Sequence, residues 1–149
     1  MGLKIGDKIP NFKLNDTKGN SFDSQSLLGK PTVIYFYPKD NTAGCTAQAC
    51  SFRDSYEDFK DLGAEVVGIS SDSVSTHENF SKQYKLPFLL LSDSTNKVRK
   101  LFGVPSAMFG LVPGRVTYVA DKEGVIKMIF DSMMPKNHIS NALKAVRKM

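Results

Sequence analysis

The sequence is poor in the features that mark several classes of protein. It contains no tryptophan and only two cysteines in 149 residues. Two cysteines are too few for a disulfide-rich secreted scaffold, and alone they cannot complete a tetrahedral zinc site. No apolar run approaches the roughly 18 residues of a membrane-spanning helix, and we expect no signal peptide. The composition, 41% hydrophobic and 23% charged, instead indicates one intracellular globular domain over residues 1–149.

Charge is unevenly distributed along the chain. The net charge is +5, with −2 in residues 1–75 and +7 in residues 76–149. Such asymmetry can accompany contact with nucleic acid or a membrane, but no RNA-binding aromatic signature, zinc-finger spacing or run of five like charges occurs with it. We interpret the excess as a solvated basic face and expect no nucleic-acid partner. A basic binding module with structural cysteines is the alternative.

The most informative segment combines a buried strand with an amphipathic helix. The β-branched and aromatic run at 31–37 predicts a strand buried on both faces of a sheet. After a loop at 39–44, apolar residues recur at steps of four and three, which predicts a helix ended by Gly63. This stripe consists of Cys45, Ala49, Phe52, Tyr56 and Phe59.

The remaining pattern predicts an α/β fold. Strand–helix–strand units require a mostly parallel central sheet, and a closing hairpin makes that sheet mixed. We therefore expect a thioredoxin-like fold: a central mixed β-sheet flanked by helices, with an extra N-terminal hairpin. The other predicted elements are a hairpin around residues 15–20, strands at 65–70 and 87–91, a helix at 75–84 opened by a capping box at Ser75–Glu78, a helix at 96–102 ended by Gly103, a hairpin of strands 116–120 and 125–130, and a helix at 137–148.

Cys45 follows the predicted strand and loop, so it lies in the first turn of the helix. In open α/β sheets, ligands bind at the carboxyl ends of the strands. The unpaired N–H groups and positive dipole of a helix N-terminus favour an anion, and a thiolate is such an anion. Because the thiolate is the nucleophilic form of cysteine, this position predicts that Cys45 is reactive.

Cys50 lies five residues later on the same predicted helix. That spacing puts the two Cα atoms about 8–9 Å apart, whereas a disulfide usually needs roughly 4.4–6.8 Å. The two cysteines can therefore form a bond only if the first turns of the helix unwind. Two other interpretations are open at this point, namely buried core cysteines and metal binding, although His77 and His138 lie on separate predicted helices.

Several motifs together resemble the peroxiredoxin family. Pro38, Thr42 and Cys45 match its active-site signature, and the spacing to Cys50 resembles the peroxiredoxin Q, or bacterioferritin-comigratory-protein, branch. The resemblance covers nearly the whole chain and is strongest to the plant chloroplast members. Further matching stretches lie at 52–56, 67–70, 90–93, 96–100 and 113–118.

The resemblance implies a thiol-dependent peroxidase that reduces hydrogen peroxide and organic hydroperoxides. It implies that Cys45 is the peroxidatic cysteine and that Cys50 resolves its sulfenic acid as an intramolecular disulfide. It also implies that Thr42 hydrogen-bonds the thiolate and the peroxide, that Arg115 stabilises the developing negative charge, and that Pro38 shields the sulfur. A disulfide reductase of thioredoxin type is disfavoured because the chain has no C-x-x-C motif.

The same resemblance sets the expected partners and location. We expect thioredoxin or a similar dithiol as reductant, no metal or organic cofactor, no membrane span and a monomer. We expect a cytoplasmic protein, or a chloroplast protein if the chain is a mature form without its transit peptide. We interpret the methionines and phenylalanine at 108, 109, 133 and 134 as core or gap-filling residues, with an apolar substrate surface as the alternative.

Overall fold

A computed structural model describes residues 2–107 and 112–149. Within these residues the fold is a seven-stranded mixed sheet with a separate two-stranded ribbon and five α-helices. The strands are β1 Lys13–Asn15, β2 Ser21–Asp23, β3 Thr32–Phe36, β4 Glu65–Ser70, β5 Leu89–Ser92, β6 Ser106–Ala107, β7 Val112–Pro113, β8 Val116–Ala120 and β9 Ile126–Asp131. The helices are α1 Ala43–Asp54, α2 Tyr56–Asp61, α3 Val74–Tyr84, α4 Lys97–Phe102 and α5 His138–Arg147, with a 3₁₀ turn at Ser24–Leu27.

The sheet order confirms the expected thioredoxin-like architecture. The strands run β2-β1-β5-β4-β3-β8-β9, and β3, β4 and β5 are parallel to one another. β8 and β9 form the closing antiparallel hairpin, and β1 and β2 form the N-terminal hairpin at the other edge of the sheet. The sheet is therefore mixed for the predicted reason, because helical crossovers give parallel neighbours and hairpins give antiparallel ones.

β3 is an interior strand of the sheet, between β4 and β8, and it is buried on both faces as predicted. Val33, Tyr35 and Tyr37 pack into one hydrophobic core with α1, α2, α3 and α5. Ile34 and Phe36 point the other way, into a second core that includes α4. Since each fully buried large side chain contributes about 1.5–3 kcal/mol, the strand is firmly fixed, and so is the loop that leaves it.

The helix predicted from the stripe exists, but it is divided. α1 ends at Asp54, Ser55 has non-helical backbone angles, and α2 continues the stripe with Phe59 buried. Gly63 has a positive φ of 74° just after α2, the conformation that glycine tolerates best. The end of the predicted helix is confirmed, whereas its continuity is wrong.

The capping box predicted at Ser75–Glu78 is also wrong. α3 begins two residues earlier than that box requires, with Ser73 as its N-cap. The Ser73 hydroxyl accepts a hydrogen bond from the Thr76 N–H at 3.2 Å, so Ser73 fills the role predicted for Ser75. Sequence spacing alone does not distinguish two serines that could each cap the same helix.

The other predicted elements agree with the structure to within about two residues, the usual scatter of element ends. β5 begins later than predicted because Pro87, which has no N–H, precedes the first residue paired with β4. No helix in the described ranges is long and apolar enough to cross a membrane. Met133 and Met134 are exposed rather than core residues, and residues 108 and 109 lie outside the described residues.

Candidate active site

Two chain segments meet where β3 ends. Phe36, the last residue of β3, pairs with Val116, the first residue of the antiparallel strand β8. The segment that leaves β3 at Tyr37 and the segment that enters β8 at Arg115 therefore lie side by side. This register brings together residues about 80 positions apart in the sequence.

Cys45 occupies the third position of α1, at the carboxyl end of β3 as predicted. Its side chain is almost completely buried and its thiol is free. The sulfur lies 3.4 Å from Nη2 of Arg115, which donates a hydrogen bond to it. The helix N-terminus and the guanidinium both favour the anionic form of this sulfur.

Arg115 is buried, and all three nitrogens of its guanidinium donate hydrogen bonds at this site. Besides the Cys45 sulfur, it donates from Nη1 to Oε1 of Gln48 at 2.5 Å and from Nε to the Met133 carbonyl at 2.9 Å. A Cβ at Gly44 would lie 3.1 Å from Nη2, so the glycine leaves room for the arginine beside the helix. The sequence motif predicted Arg115 as a site residue, and the β3–β8 register places it beside Cys45.

Gln48 is a contact that sequence reasoning did not identify. It lies three residues after Cys45, so both side chains share one face of α1. Its Oε1 accepts from Arg115, which orients the amide, and its buried Nε2 has no hydrogen-bond partner among the described residues. The i, i+3 spacing from Cys45 was the available signal, but it does not show which partner the amide meets.

Thr42 and Pro38 lie on the loop that leads from β3 to α1. Thr42 is exposed at the N-cap position of α1, and its hydroxyl donates to the Lys39 carbonyl at 2.9 Å. No hydrogen bond joins Thr42 to Cys45 in the described part of the chain, so the hydroxyl is oriented differently from our expectation for the thiolate. A hydrogen bond from Thr42 to peroxide stays a prediction. Pro38 is half-buried beside the carboxyl end of β3.

A buried polar network anchors the same loop. Asp40 accepts from the Tyr37 hydroxyl at 2.6 Å, lies 2.6 Å from Nδ1 of His77, and donates its backbone N–H to Asp72 at 2.8 Å. His77 Nε2 in turn lies 3.0 Å from the Leu91 carbonyl. Burial, with the charges of Tyr35 and Asp40, raises the pKa of Tyr37 well above its usual range, so Tyr37 stays a neutral donor.

The network is also the one group of metal-ligand side chains within residues 2–107 and 112–149. Asp40, Asp72 and His77 offer ligand atoms within 4.8 Å of one another. Their mutual hydrogen bonds account for the close approach. His77 therefore acts as a buried structural residue, and His138 is likewise buried between Thr117 and the Ser132 carbonyl.

Cys50 lies on the same helix but in different surroundings. It is half-buried and free, and α1 is continuous from Cys45 to Cys50. An intact helix separates the two Cα atoms by about 8–9 Å, beyond the range for a disulfide. The structure therefore represents the reduced arrangement, and a bond between the cysteines requires α1 to unwind.

The family comparison agrees with this geometry. Residues 5–129 match the model of the AhpC/TSA family. The chain is 54% identical over 145 residues to "Peroxiredoxin Q, chloroplastic" of Sedum lineare, covering 97% of this chain and 78% of that protein. It is 52% identical to the protein of the same name from Populus jackii, covering 97% and 68% of the two chains.

Solved structures show the same fold. Peroxidoxin BcpB of Mycobacterium tuberculosis has a TM-score of 0.90 and 33% identity, covering 99% of this chain and 98% of that one. The bacterioferritin comigratory protein of Xanthomonas campestris, described as having alkyl peroxide reduction activity, has a TM-score of 0.86 and 30% identity, covering 92% and 90%. These matches confirm the predicted enzyme class, a thiol-dependent peroxidase, and the chain belongs to the AhpC/TSA family, in its peroxiredoxin Q branch.

Proposed function

We propose that Cys45 is the peroxidatic cysteine and Cys50 the resolving cysteine of this enzyme. The observation that carries the proposal is the pairing of the buried Cys45 sulfur with Nη2 of Arg115 at 3.4 Å, at the amino end of a helix that also bears Cys50. Among the residues that the structure describes, Cys45 and not Cys50 has both a cationic donor and a helix N-terminus beside it.

The first step is an attack by the Cys45 thiolate on the hydroperoxide. An S–O bond forms as the O–O bond breaks, which leaves a sulfenic acid and an alkoxide or hydroxide that takes up a proton. Negative charge grows on the leaving oxygen, and a guanidinium already held by Gln48 and the Met133 carbonyl can stabilise that charge without reorganising. The Thr42 hydroxyl gives its proton to the Lys39 carbonyl, so its lone pairs are the part that can accept a hydrogen bond from the peroxide O–H. Pro38 limits water access to the sulfur.

The second step is resolution by Cys50. Once the first turns of α1 unwind, the Cys50 thiolate attacks the Cys45 sulfur. An S–S bond forms, the S–O bond breaks, and hydroxide leaves as water. Resolution competes with further oxidation of the sulfenic acid to sulfinic acid.

Recycling requires an external dithiol, and we propose thioredoxin or a similar protein. Thiol–disulfide exchange through a mixed disulfide would return both cysteines to thiols. We further propose that one copy suffices for the attack, because the chain itself carries Cys45, Arg115 and Gln48 in one hydrogen-bonded group. The plant relatives are named chloroplastic, which supports a plastid location.

Mass spectrometry after one equivalent of hydrogen peroxide tests the proposal. The wild-type protein should lose two hydrogens and yield a Cys45–Cys50 disulfide peptide. Cys50→Ser should instead form a sulfenic acid that a dimedone probe traps on Cys45, and Cys45→Ser should not react at the peroxidatic rate. Full peroxide consumption by Cys45→Ser would overturn the assignment, provided that circular dichroism shows an intact fold.

A further inference from the structure

Arg99 is a buried cation that the proposed steps do not use. It lies on α4, it is 9% exposed, and its guanidinium stacks over the Phe36 ring at 5.6 Å. Among the described residues, no carboxylate oxygen lies within ion-pair distance of it. Burial lowers the pKa of Arg99 from its usual value, although a guanidinium stays protonated at neutral pH. Burying an unpaired charge is costly, which marks Arg99 as a candidate functional residue.

The guanidinium of Arg99 joins the two segments that carry the active site. Nη1 donates to the Gly114 carbonyl at 2.9 Å, and Nη2 donates to the Tyr37 carbonyl at 3.0 Å. Gly114 directly precedes Arg115, and Tyr37 directly precedes Pro38. Because the donors of a guanidinium are held in one plane, this side chain fixes the spacing between the two segments.

The surroundings of Arg99 favour a rigid connection. A Cβ at Gly114 would overlap the Pro105 carbonyl oxygen, so the backbone there is tightly packed and requires glycine. Asp93 lies just before α4, and its buried carboxylate accepts hydrogen bonds from the backbone N–H groups of Val98 and Arg99 in α4, at 3.0 and 2.9 Å. Asp93 therefore holds the helix, while the guanidinium is satisfied by backbone carbonyls, which carry no net charge.

We propose that Arg99 is a positioning residue for the peroxidase reaction. Through its two carbonyl contacts it holds the Pro38 and Arg115 segments at a fixed spacing, so that the Arg115 guanidinium stays beside the Cys45 sulfur. The proposal rests on the proposed function, because it assumes that Cys45 attacks the peroxide. It differs from a purely structural role because it requires a slower peroxide step in a variant whose fold and thermal unfolding match those of the wild type.

Three variants test whether the planar guanidinium of Arg99 is required. Arg99→Gln removes the charge and the guanidinium, Arg99→Lys keeps the charge without the guanidinium, and Lys100→Gln removes an exposed charge from the next position of α4 as a matched control. Each reduced variant is mixed rapidly with hydrogen peroxide, and the rate of the peroxide step is measured. Circular dichroism and thermal unfolding check the fold.

We expect Arg99→Gln to slow the peroxide step about tenfold, less than the roughly 10²–10³-fold cost of losing a direct oxyanion donor. Arg99→Lys should also react more slowly than the wild type, because an ammonium cannot hold both carbonyls in one plane. Lys100→Gln should match the wild type. If Arg99→Gln reacts as fast as Lys100→Gln, the proposal is overturned.

Two further outcomes keep the test decisive. If Arg99→Gln does not fold, Arg99→Lys decides alone, and a rate equal to that of the wild type overturns the positioning role. If wild-type Cys45 itself does not react with peroxide, the proposed function fails instead. A reactive wild type with unaffected Arg99 variants would overturn only the inference about Arg99.

Discussion

The two cysteines lie five residues apart on α1, yet their surroundings differ in every respect that affects reactivity. Cys45 is buried in the first turn, beside the helix N-terminus and 3.4 Å from an arginine nitrogen. Cys50 is half-buried further along α1, and its sulfur has no hydrogen bond in the described part of the chain. One sulfur has an arginine donor and a helix N-terminus beside it, and the other has neither among the described residues.

This difference shows how one helix can supply two roles. The buried polar groups Arg115 and Gln48 converge on the first turn, where the folded helix is needed for the attack on peroxide. Cys50 needs no such support, because it acts only after that turn has unwound. The proposed role of Cys45 therefore requires the first turn of α1 to be helical, whereas the proposed role of Cys50 requires that turn to unwind.

Replacing Arg115, which contacts Cys45, should have the largest effect on the difference in reactivity between the two cysteines. We expect Arg115→Met to slow the peroxide step by roughly 10²–10³-fold, because it removes the donor that faces the developing charge. Rapid mixing of the reduced enzyme with peroxide measures this step directly. Arg147→Met, at an exposed arginine of α5, is the matched control and should react like the wild type. An Arg115→Met rate near that of the control would show that the arginine does not make Cys45 more reactive toward peroxide.

Replacing Gln48, which holds the Arg115 guanidinium, should have a smaller effect on the peroxide step. Gln48 contacts Arg115 rather than the sulfur, so we expect Gln48→Ala to slow the same step about tenfold by loosening the guanidinium. If Gln48 acts only through Arg115, the substitution should have little further effect in an Arg115→Met background. Ser51→Ala, at an exposed position of α1, is the control. Independent, multiplicative effects of the two substitutions would contradict a shared action.

The sequence predicts the position of Cys45 well because every signal for it is local. A continuous apolar strand, a loop and an amphipathic stripe fix the order of elements, and the parallel sheet places the cysteine at a strand end. The capping residue of α3 was predicted wrongly because Ser73 and Ser75 could each cap the same helix. The break at Ser55 was not predicted, because the apolar stripe continues across it and no side-chain cap marks it.

The contacts around the sulfur could not be predicted in the same way. The Arg115 contact with Cys45 depends on the pairing of Phe36 with Val116, and sequence periodicity does not specify which residues of β3 and β8 lie opposite each other. Arg99 was part of a matching motif, but its two carbonyl partners lie 15 and 62 residues away. The motif supplied Arg115 through resemblance, whereas Gln48 and the role of Arg99 required the three-dimensional structure.

Replacing the resolving cysteine should have the smallest effect on the attack itself. Cys50→Ser changes one atom at a half-buried position, and Cys50 is not among the hydrogen-bond partners of Arg115 in the described residues. The first reaction with peroxide should therefore stay within about twofold of the wild-type rate. Turnover with a dithiol protein should fall sharply, because the intramolecular disulfide can no longer form. Rapid mixing gives the first rate, and a coupled thioredoxin assay gives the second. If Cys50→Ser slowed the first step as much as Gln48→Ala, both sulfurs would contribute to the attack, and the separation of roles along α1 would be wrong.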